Sequence, residues 1–479
     1  MKRFSFRTFL VLGLAAVLIA GCSGGSGGGS GSPAQGSSGG GSGGGGGGGS
    51  ASTPNPAATP SQQENVTIKF HTHGTETQYN WSQTIAAFEE SYPHIKVDLI
   101  LLSEKGDTQE ATQKLDLAAA SDEQMDVLMF SDPASYAQRV GLGMVRAIDD
   151  FIAEEGYTVT QEYKVDTLMN GQYYALPGKF NPWYVLLNLD HLEEAGLAVP
   201  TDWTWDDFME YARRLTTGEG ASKRYGTYFH GPQNGGWMEF LKLAMANRES
   251  GGEFLKEDGS SNLDDPMFRR TLELRLKMER EDGSSTPYAD MLSQKLHYRT
   301  QFFNQAASMI LIGSWMNSEL GGTEQNPLHF RVAVAPYPKN HPSDTIGYTP
   351  VTTDFMAVAA KSKHPKEAYQ FIRWYTTEGL AKYGRNVPSW NKVSDSDLES
   401  IIDSILSDTQ KPELVDKASL LHSLSISKSG KIIPPVTYQA EVYKALNEQY
   451  ELLILGSQDL DTTIEKMKAA VQEIINNNK

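Results

Sequence analysis

Strand-like and helix-like segments alternate along the chain from about residue 65, and this alternation constrains the fold more than any other feature. "VTIKFHTHG" alternates apolar and polar residues over positions 66–74, as a half-buried strand does. "WSQTIAAFEESYP" then places Trp81, Ile85 and Phe88 at helical spacing, and "HIKVDLILL" returns to a strand pattern. The repetition of this order predicts an α/β protein in which helices cover the faces of β-sheets.

The N-terminal segment has a different character. A short positive region is followed by about a dozen apolar residues, too few for the roughly 20 that span a bilayer but enough for a signal peptide. The only cysteine follows at once, and Ile19-Ala20-Gly21-Cys22 resembles the lipobox of bacterial lipoproteins. We therefore predict a lipoprotein signal peptide at 1–21, lipidation of Cys22, and a Gly/Ser-rich flexible linker to residue 64. The alternative is an ordinary secretory signal with an incidental cysteine.

Composition narrows the class of partner. The chain carries 42 basic and 59 acidic residues, a net charge of −17, which disfavours binding to nucleic acid phosphates or anionic lipid head groups. Residues 65–479 are long enough for two or three domains and contain no cysteine. Stability must therefore come from a large apolar core rather than from disulfides.

Two blocks resemble one family in particular. "NGQYYALPGKFNPWYVLLNLDHLEEAGLAVPTDWTWDDFMEYARRLT" begins at Asn170, and "QFFNQAASMILIGSWM" ends at Met316. Together with "RVAVAPYP" and a closing amphipathic helix, they resemble the maltose-binding-like extracellular solute-binding proteins of carbohydrate ABC transporters. Asn304-Gln305 and Leu187-Asn188 depart from the usual Gly-Lys and Tyr-Asn of that family. Independently of the resemblance, Thr204 and Asp207 predict a capping box at a helix start.

The resemblance implies a two-lobed periplasmic-binding-protein-like α/β fold, each lobe a central β-sheet flanked by helices, with a hinge and a ligand cleft between the lobes. Chain order assigns 65–178 and 330–380 to lobe 1, and 184–325 and 385–479 to lobe 2. The crossing segments are expected at Gly178–Trp183, at Asn326-Pro327 and near Arg385.

A sugar presents patches of C–H groups and a rim of hydroxyls, so its site needs aromatic rings and buried polar groups. The candidates at expected strand ends are Trp315, Trp237, Asn181, Trp183, Asp132, Glu76, Gly74, Tyr348 and Asp354, with Tyr438 and Arg385 as weaker ones. Each has a structural alternative. The alternatives are core packing for Trp315 and Trp237, hinge packing for Asn181 and Trp183, and a helix cap before Pro133 for Asp132.

Two patterns contain potential metal ligands. His71 and His73 lie at i and i+2 of a strand and are potential zinc ligands, but no third ligand is evident. "KEDGSSNLDDP" lacks the spacing of a calcium-binding EF-hand loop and is better interpreted as a β-turn before a helix that starts at Pro266. No metal and no cofactor is predicted.

The sequence thus predicts a lipid-anchored, monomeric receptor on the outer face of a cell membrane, in a cell of Gram-positive type. It captures a sugar or oligosaccharide and delivers it to ABC transporter permease subunits, and it binds no nucleic acid. Three alternatives stay open: a receptor for a non-sugar solute, a receptor coupled to a sensor, and a tethered glycoside hydrolase. The last would use Asp132 with Glu76 or Asp354 as its carboxylate pair.

Overall fold

The computed structural model describes residues 64–232 and 236–478. The predicted signal peptide at 1–21, Cys22 and the linker up to residue 63 lie outside the described residues. Within the described ranges, no helix is long and apolar enough to cross a membrane.

Strands are numbered in chain order. They are β1 Val66–Thr72, β2 Ile95–Leu101, β3 Val127–Phe130, β4 Leu168–Met169, β5 Gln172–Tyr173, β6 Ala175–Pro177, β7 Asn181–Asn188, β8 Tyr225–Tyr228, β9 Ala307–Gly313, β10 Val332–Pro336, β11 Tyr348–Thr349, β12 Val351–Thr352, β13 Phe355–Val358 and β14 Lys428–Ser429.

The α-helices are numbered in the same way. They are α1 Glu76–Tyr79, α2 Trp81–Ser91, α3 Thr108–Ala120, α4 Pro133–Gly141, α5 Asp149–Glu155, α6 Val159–Glu162, α7 Leu189–Glu194, α8 Trp205–Leu215, α9 Pro266–Leu276, α10 Tyr288–Ser293, α11 Tyr298–Phe303, α12 Pro365–Trp374, α13 Leu380–Tyr383, α14 Asp395–Ser407, α15 Lys417–Ile426, α16 Gln439–Ile454 and α17 Leu460–Asn477. A 3-10 turn at Ser314–Glu319 follows β9.

The first sheet has the strand order β2-β1-β3-β13-β6. β1 runs parallel to β2 and β3, whereas β13 runs antiparallel to β3 and β6. Apolar clusters cover both faces, one containing Phe70 and Phe371 and the other containing Leu115 and Leu128. Burial on two faces explains why all four residues of β3 are apolar and buried.

The second sheet has the order β10-β7-β9-β8, with β12 pairing the start of β7. β7 runs antiparallel to β9, β10 and β12, and all eight of its residues are buried. Helices α8, α9, α15, α16 and α17 contribute to the single apolar cluster around this sheet. The two sheets therefore have separate cores, and these are the two lobes.

Three extended segments connect the lobes. The chain leaves β6 and enters β7 through residues 178–180, where Phe180 N donates to Val387 O at 2.7 Å. Ser389 N returns a hydrogen bond of 2.8 Å to Gly178 O. Residues 349–354 run along the same crossing, because Trp183 N donates to Pro350 O and Gly178 N to Asp354 O. The hinge is thus a hydrogen-bonded ribbon of three chain segments.

The second crossing differs from the sequence expectation. Lobe 1 was predicted to resume at residue 330 after a crossing at Asn326-Pro327, but β10 at Val332–Pro336 pairs with β7 in the second sheet. The chain returns to the first sheet only at β13, so the crossing lies at 349–354. β10 is apolar and buried in either assignment, and its sequence pattern alone does not tell which sheet it joins.

Local predictions agree with the structure at two helix starts. Thr204 and Asp207 form the expected capping box, with Thr204 N donating to Asp207 Oδ2 at 2.8 Å and Asp207 N donating to Thr204 Oγ1 at 3.2 Å. α9 begins at Pro266, with Asp265 accepting a hydrogen bond from Met267 N. Upstream, Gly259 N donates to Lys256 O at 2.9 Å, which is the expected β-turn.

Candidate functional site

The end of β1 brings Gly74 against the ring of Tyr79 in α1. A Cβ atom on Gly74 would lie 2.5 Å from Tyr79 Cδ2, so a side chain at this position would displace the ring. The Gly74 carbonyl accepts a hydrogen bond of 2.8 Å from Trp81 Nε1, and the Tyr79 and Trp81 rings stack with centroids 5.1 Å apart. Gly74 therefore allows a tyrosine to cover the carboxyl end of the strand.

Tyr79 belongs to a buried group of polar side chains that we call the hinge cluster: His73, Tyr79, Lys179 and Asp354. Tyr79 Oη donates to Asp354 Oδ2 at 2.9 Å, and Lys179 Nζ donates to Tyr79 Oη at 2.5 Å. His73 Nε2 lies 3.4 Å from Tyr79 Oη and 3.9 Å from Asp354 Oδ1. Lys179 and Asp354 both lie on crossing segments, so the cluster joins the end of β1 to the hinge.

The electrostatics of the hinge cluster follow from its burial. Burial lowers the pKa of His73 to about 4. The nearby Asp354 carboxylate raises this pKa and so opposes the effect of burial, whereas Lys179 lowers it a little further. Burial and the Asp354 carboxylate raise the pKa of Tyr79 well above its ordinary value. At neutral pH the imidazole and the phenol are therefore uncharged, and Lys179 faces Asp354 as an ion pair with Nζ 3.1 Å from Oδ1. Apart from this ion pair, Oδ1 accepts no hydrogen bond from the described residues.

On the lobe 2 side, Trp183 and Trp315 form what we call the aromatic platform. Their ring centroids lie 5.3 Å apart with the planes at 83°. Trp183 is fully buried, whereas Trp315 is half-buried and keeps part of its ring accessible. Gly313 lies directly under the Trp315 ring, because a Cβ atom there would be 2.0 Å from Trp315 Cζ3.

Buried hydrogen-bond donors accompany the platform. Asn181 Oδ1 accepts a bond of 3.2 Å from Ser314 Oγ, and Asn317 Oδ1 accepts one of 2.8 Å from Tyr184 Oη. Within the described ranges, the Nδ2 atoms of both amides and the Nε1 atom of Trp183 have no acceptor. Because leaving a buried donor unpaired costs about 1–3 kcal/mol, these groups suit a polar ligand with acceptor atoms.

The lobes meet beside these groups. Helix α1 contacts the 3-10 turn that carries Trp315, and Gln109 Nε2 of lobe 1 donates to Pro232 O of lobe 2 at 2.9 Å. α4 also contacts α16 across the lobes. The hinge cluster, through Tyr79 of α1, and the aromatic platform, through the turn that carries Trp315, therefore both lie where the lobes meet.

Residues 72–382 match the family model described as bacterial extracellular solute-binding protein. The chain belongs to this family. It is 24% identical over 346 residues to the multiple sugar-binding protein of Streptococcus mutans, which covers 68% of this chain and 75% of that protein. The family consists of binding proteins, and the resemblance predicted from the sequence is confirmed.

Solved structures agree with this fold. An ABC substrate-binding protein from Listeria monocytogenes, in complex with cycloalternan, has a TM-score of 0.66 at 18% identity over 86% of this chain and 99% of that one. Maltose-bound MalE3 from T. maritima has a TM-score of 0.63 at 17% identity over 85% of this chain and 99% of that one. The two-lobed α/β architecture predicted from the sequence is therefore confirmed.

Within this solute-binding fold, six of the nine predicted ligand residues separate into three groups. Asn181, Trp183 and Trp315 come together on the lobe 2 side of the hinge. Gly74 and Asp354 lie at the hinge cluster. Glu76 is exposed at the first position of α1 and accepts a hydrogen bond of 3.0 Å from Ser82 N.

The other three predicted residues, Trp237, Asp132 and Tyr348, have structural roles, because their contacts are made with the rest of the fold. Trp237 is 7% exposed in the lobe 2 core, packs against Tyr450 and donates through Nε1 to Asn447 Oδ1 at 2.8 Å, so core packing describes it better than ligand contact. Asp132 caps α4 by accepting from Ser135 N at 2.8 Å, and burial raises the pKa of its carboxyl. Tyr348 is half-buried in the short β11–β14 pair.

The weaker candidates are also accounted for. Arg385 binds Asp408 through Nε at 2.9 Å and the Thr77 carbonyl through Nη1 at 3.0 Å, so its guanidinium links lobe 2 to α1. Tyr438 is half-buried and precedes α16.

The two histidines considered as metal ligands have different surroundings. His71 Nε2 lies 3.8 Å from Glu123 Oε1, whereas His73 belongs to the hinge cluster. In the part of the chain that the structure describes, no three His, Cys, Asp or Glu side chains are grouped so as to hold a metal ion.

Sequence reasoning did not select two polar residues that the structure brings to the junction of the lobes, Tyr79 and Asn317. Lys179 is suggested by the sequence only as part of a basic patch with Arg385, and His73 as one of two histidines that bind a metal, face the sugar or are solvated. Asn317 follows the Trp315 motif by two positions, so proximity to a predicted feature was a signal for it. Tyr79 gave no comparable signal, because its partner Asp354 is 275 positions away.

Proposed function

We propose that this family member is a lipid-anchored extracellular receptor that captures a sugar or oligosaccharide and delivers it to the permease of an ABC transporter. The single observation that carries the sugar assignment is the pairing of a half-buried tryptophan with unpaired buried amide donors in one cleft wall. The printed names of the relatives, a multiple sugar-binding protein and a cycloalternan complex, support the same class of ligand.

Each chemical feature of a sugar has a counterpart in this cleft. The accessible part of the Trp315 ring offers a flat surface for the C–H face of a pyranose. The amide Nδ2 atoms of Asn181 and Asn317 can donate to hydroxyl oxygens, and Asp354 Oδ1 can accept from a hydroxyl. A hydroxyl group both donates and accepts, so one sugar satisfies both kinds of orphan group.

Capture is expected to proceed by closure of the lobes over the ligand. A ligand that contacts both walls stabilises the closed arrangement only by its difference in affinity between open and closed states. Closure is expected to tighten the interlobe contacts of α1 with the Ser314–Glu319 turn and of Gln109 with Pro232. Closure then presents a lobe surface to the permease, which supplies the pore.

A thermal-shift screen of the full chain tests the ligand class, using mono-, di- and oligosaccharides alongside amino acids, peptides and metal salts. A ligand at 100 times its Kd stabilises the native state by about 2.7 kcal/mol. We expect a shift confined to one family of glycans, with the sugar recovered intact. A shift with peptides or metal salts alone would refute the sugar assignment, and recovery of cleaved sugar would establish a hydrolase.

Anchoring at Cys22 is a separate proposal with its own test. Lipidation of the sole cysteine explains its position at the end of the apolar leader and before the Gly/Ser tract. Cys22→Ser should move the protein from the membrane fraction to the medium while leaving glycan binding unchanged. Retention of the variant in the membrane fraction would refute the lipid anchor and leave the receptor assignment intact.

A further inference from the structure

The 3-10 turn Ser314–Glu319 and the start of β7 are joined by two side-chain hydrogen bonds of the same kind. Ser314 Oγ donates to Asn181 Oδ1 at 3.2 Å, and Tyr184 Oη donates to Asn317 Oδ1 at 2.8 Å. Each segment thus supplies one hydroxyl and one amide. Both pairs span 133 positions of the chain, so the turn runs beside the start of β7 in the same direction.

In both pairs the hydroxyl bonds to the carbonyl end of the amide and leaves the NH2 end free. Asn181 and Asn317 are each only 1% exposed, and within the described ranges neither Nδ2 atom has a hydrogen-bond partner. Buried polar groups are nearly always paired, so two amides with the same unpaired end on adjoining segments need an explanation. The arrangement indicates two donors that are available to acceptor atoms of a ligand.

The phenol of Tyr184 is well suited to hold its amide in one orientation. Tyr184 is fully buried, and burial, together with the Glu319 carboxylate, raises the pKa of its phenol well above the ordinary value, so the proton is retained for donation. Both Glu319 oxygens are engaged by Arg299, with Nε 2.6 Å from Oε2 and Nη2 2.6 Å from Oε1. Rotation of the Asn317 amide by half a turn would take the carbonyl acceptor away from the phenol proton.

We propose that Tyr184 and Ser314 are positioning residues that hold the amides of Asn317 and Asn181 with their NH2 groups toward the ligand. Neither hydroxyl touches the ligand itself. The inference rests on the proposed function, which assigns the two amides to ligand contact. It makes this part of the site selective for acceptor oxygens, because a ligand that offers only N–H donors at these points would meet another donor.

Tyr184→Phe tests the first pair, because it keeps the ring and removes the donor. Tyr136→Phe is the matched control, since it removes a buried phenol of lobe 1 that donates to Thr167 O at 3.2 Å. In the full chain labelled with nitrogen-15 asparagine, Asn317→Leu assigns the Nδ2 signal of that residue. We expect Tyr184→Phe to shift this signal and Tyr136→Phe to leave it unchanged. An unshifted signal in Tyr184→Phe would overturn the inference for this pair.

Calorimetric binding supplies the second arm, with the glycans of the thermal-shift screen as probes, beginning with maltotriose. Tyr184→Phe should weaken binding about two- to fivefold. The lower bound is an amide that presents Nδ2 about half of the time, and the upper bound is the loss of one ordinary hydrogen bond. Unchanged affinity would overturn the positioning role, as would equal weakening in Tyr136→Phe.

The double variants separate a positioning role from a general effect on the fold. In an Asn317→Leu background, Tyr184→Phe should have no further effect on affinity, and Ser314→Ala should likewise have none in an Asn181→Leu background. A full reduction in either background would show that the hydroxyl acts independently of its amide and would overturn the inference for that pair. If the unaltered protein binds none of the glycans, the proposed function fails, whereas the nitrogen signal still decides whether Tyr184 holds the Asn317 amide.

Discussion

Gly313→Ala is the sharpest test of the aromatic platform, because the position has no backbone reason to be glycine. Its φ is −83°, which any residue adopts. The three atoms nearest to a Cβ atom placed there all belong to the Trp315 ring. A Cβ atom would lie 2.0 Å from Cζ3, 2.3 Å from Cε3 and 2.8 Å from Cη2 of that ring.

The size of the effect follows from this overlap. Ordinary van der Waals contact begins near 3.4 Å, so the ring must move by roughly 1.4 Å or more. Overpacking of a filled site costs about 1–3 kcal/mol. Because Trp315 is half-buried, its ring can move toward the cleft, and we expect a stability loss of about 1 kcal/mol. Displacement of the stacking surface should weaken glycan binding by at least about tenfold, or ~1.4 kcal/mol.

The assay pairs urea unfolding with calorimetric titration of the glycan found in the screen. Gly178→Ala is the control, since a Cβ atom there would meet its nearest neighbours, Asp354 Cβ and Asp354 O, at an ordinary 3.6 Å. The control should change neither stability nor affinity by more than about 0.5 kcal/mol. Unchanged glycan affinity in Gly313→Ala, with a confirmed fold, would refute a stacking role for Trp315.

Three further outcomes follow from buried charge and local capping. The pKa of His73 is about 4 in the folded protein and its ordinary value is 6.5, so the unfolded chain takes up the proton first as the pH falls. The contribution of His73 to the free energy of unfolding is intact above pH 6.5 and is lost as the pH falls toward 4, by up to about 3 kcal/mol. His73→Gln should flatten that part of the urea-derived stability profile, while the exposed His341→Gln should not; equal slopes would contradict the assignment. Asp354→Asn leaves the buried Lys179 without its carboxylate partner and should lower stability by about 3–5 kcal/mol. Adding Lys179→Met should restore part of that stability, and no recovery in the double variant would argue against the ion pair. Thr204→Ala should cost about 1 kcal/mol in unfolding experiments without altering glycan affinity, and a neutral result would mean that the capping box adds no stability.

Sequence pattern was sufficient where structure is decided locally. The Thr204 capping box, the helix start at Pro266 and the turn at Lys256–Gly259 each depend on residues within four positions of one another. At the Asn170-Gly171 pair, with φ of 51° and 77°, a two-residue turn joins β4 to β5, as the dipeptide favours. These features follow from backbone preference and short-range hydrogen bonds.

The sequence was insufficient where the answer depends on which sheet a strand joins. β10 is an apolar strand that would be buried in either lobe, so its pattern contains no information about its partner. The same limit applies to the site. Trp237 lies in a loop-like, glycine-rich stretch that suggests a cleft, yet its ring packs among Tyr450, Tyr288 and Arg275 in the core. Long-range packing decides such cases.

The hinge cluster and the aromatic platform lie at different places in the fold, and this implies different energetic roles for them. Lys179 and Asp354 lie on the crossing segments, where a hinge moves least, so their ion pair is expected to persist in open and closed states alike. A contact made equally in both states cannot shift the equilibrium between them. Trp315 lies on a lobe 2 turn that contacts α1 of lobe 1, and we expect this interlobe contact to change when the lobes open. Asp354→Asn should therefore lower stability with little change in the open–closed equilibrium of the ligand-free protein, whereas Gly313→Ala should change affinity more than stability.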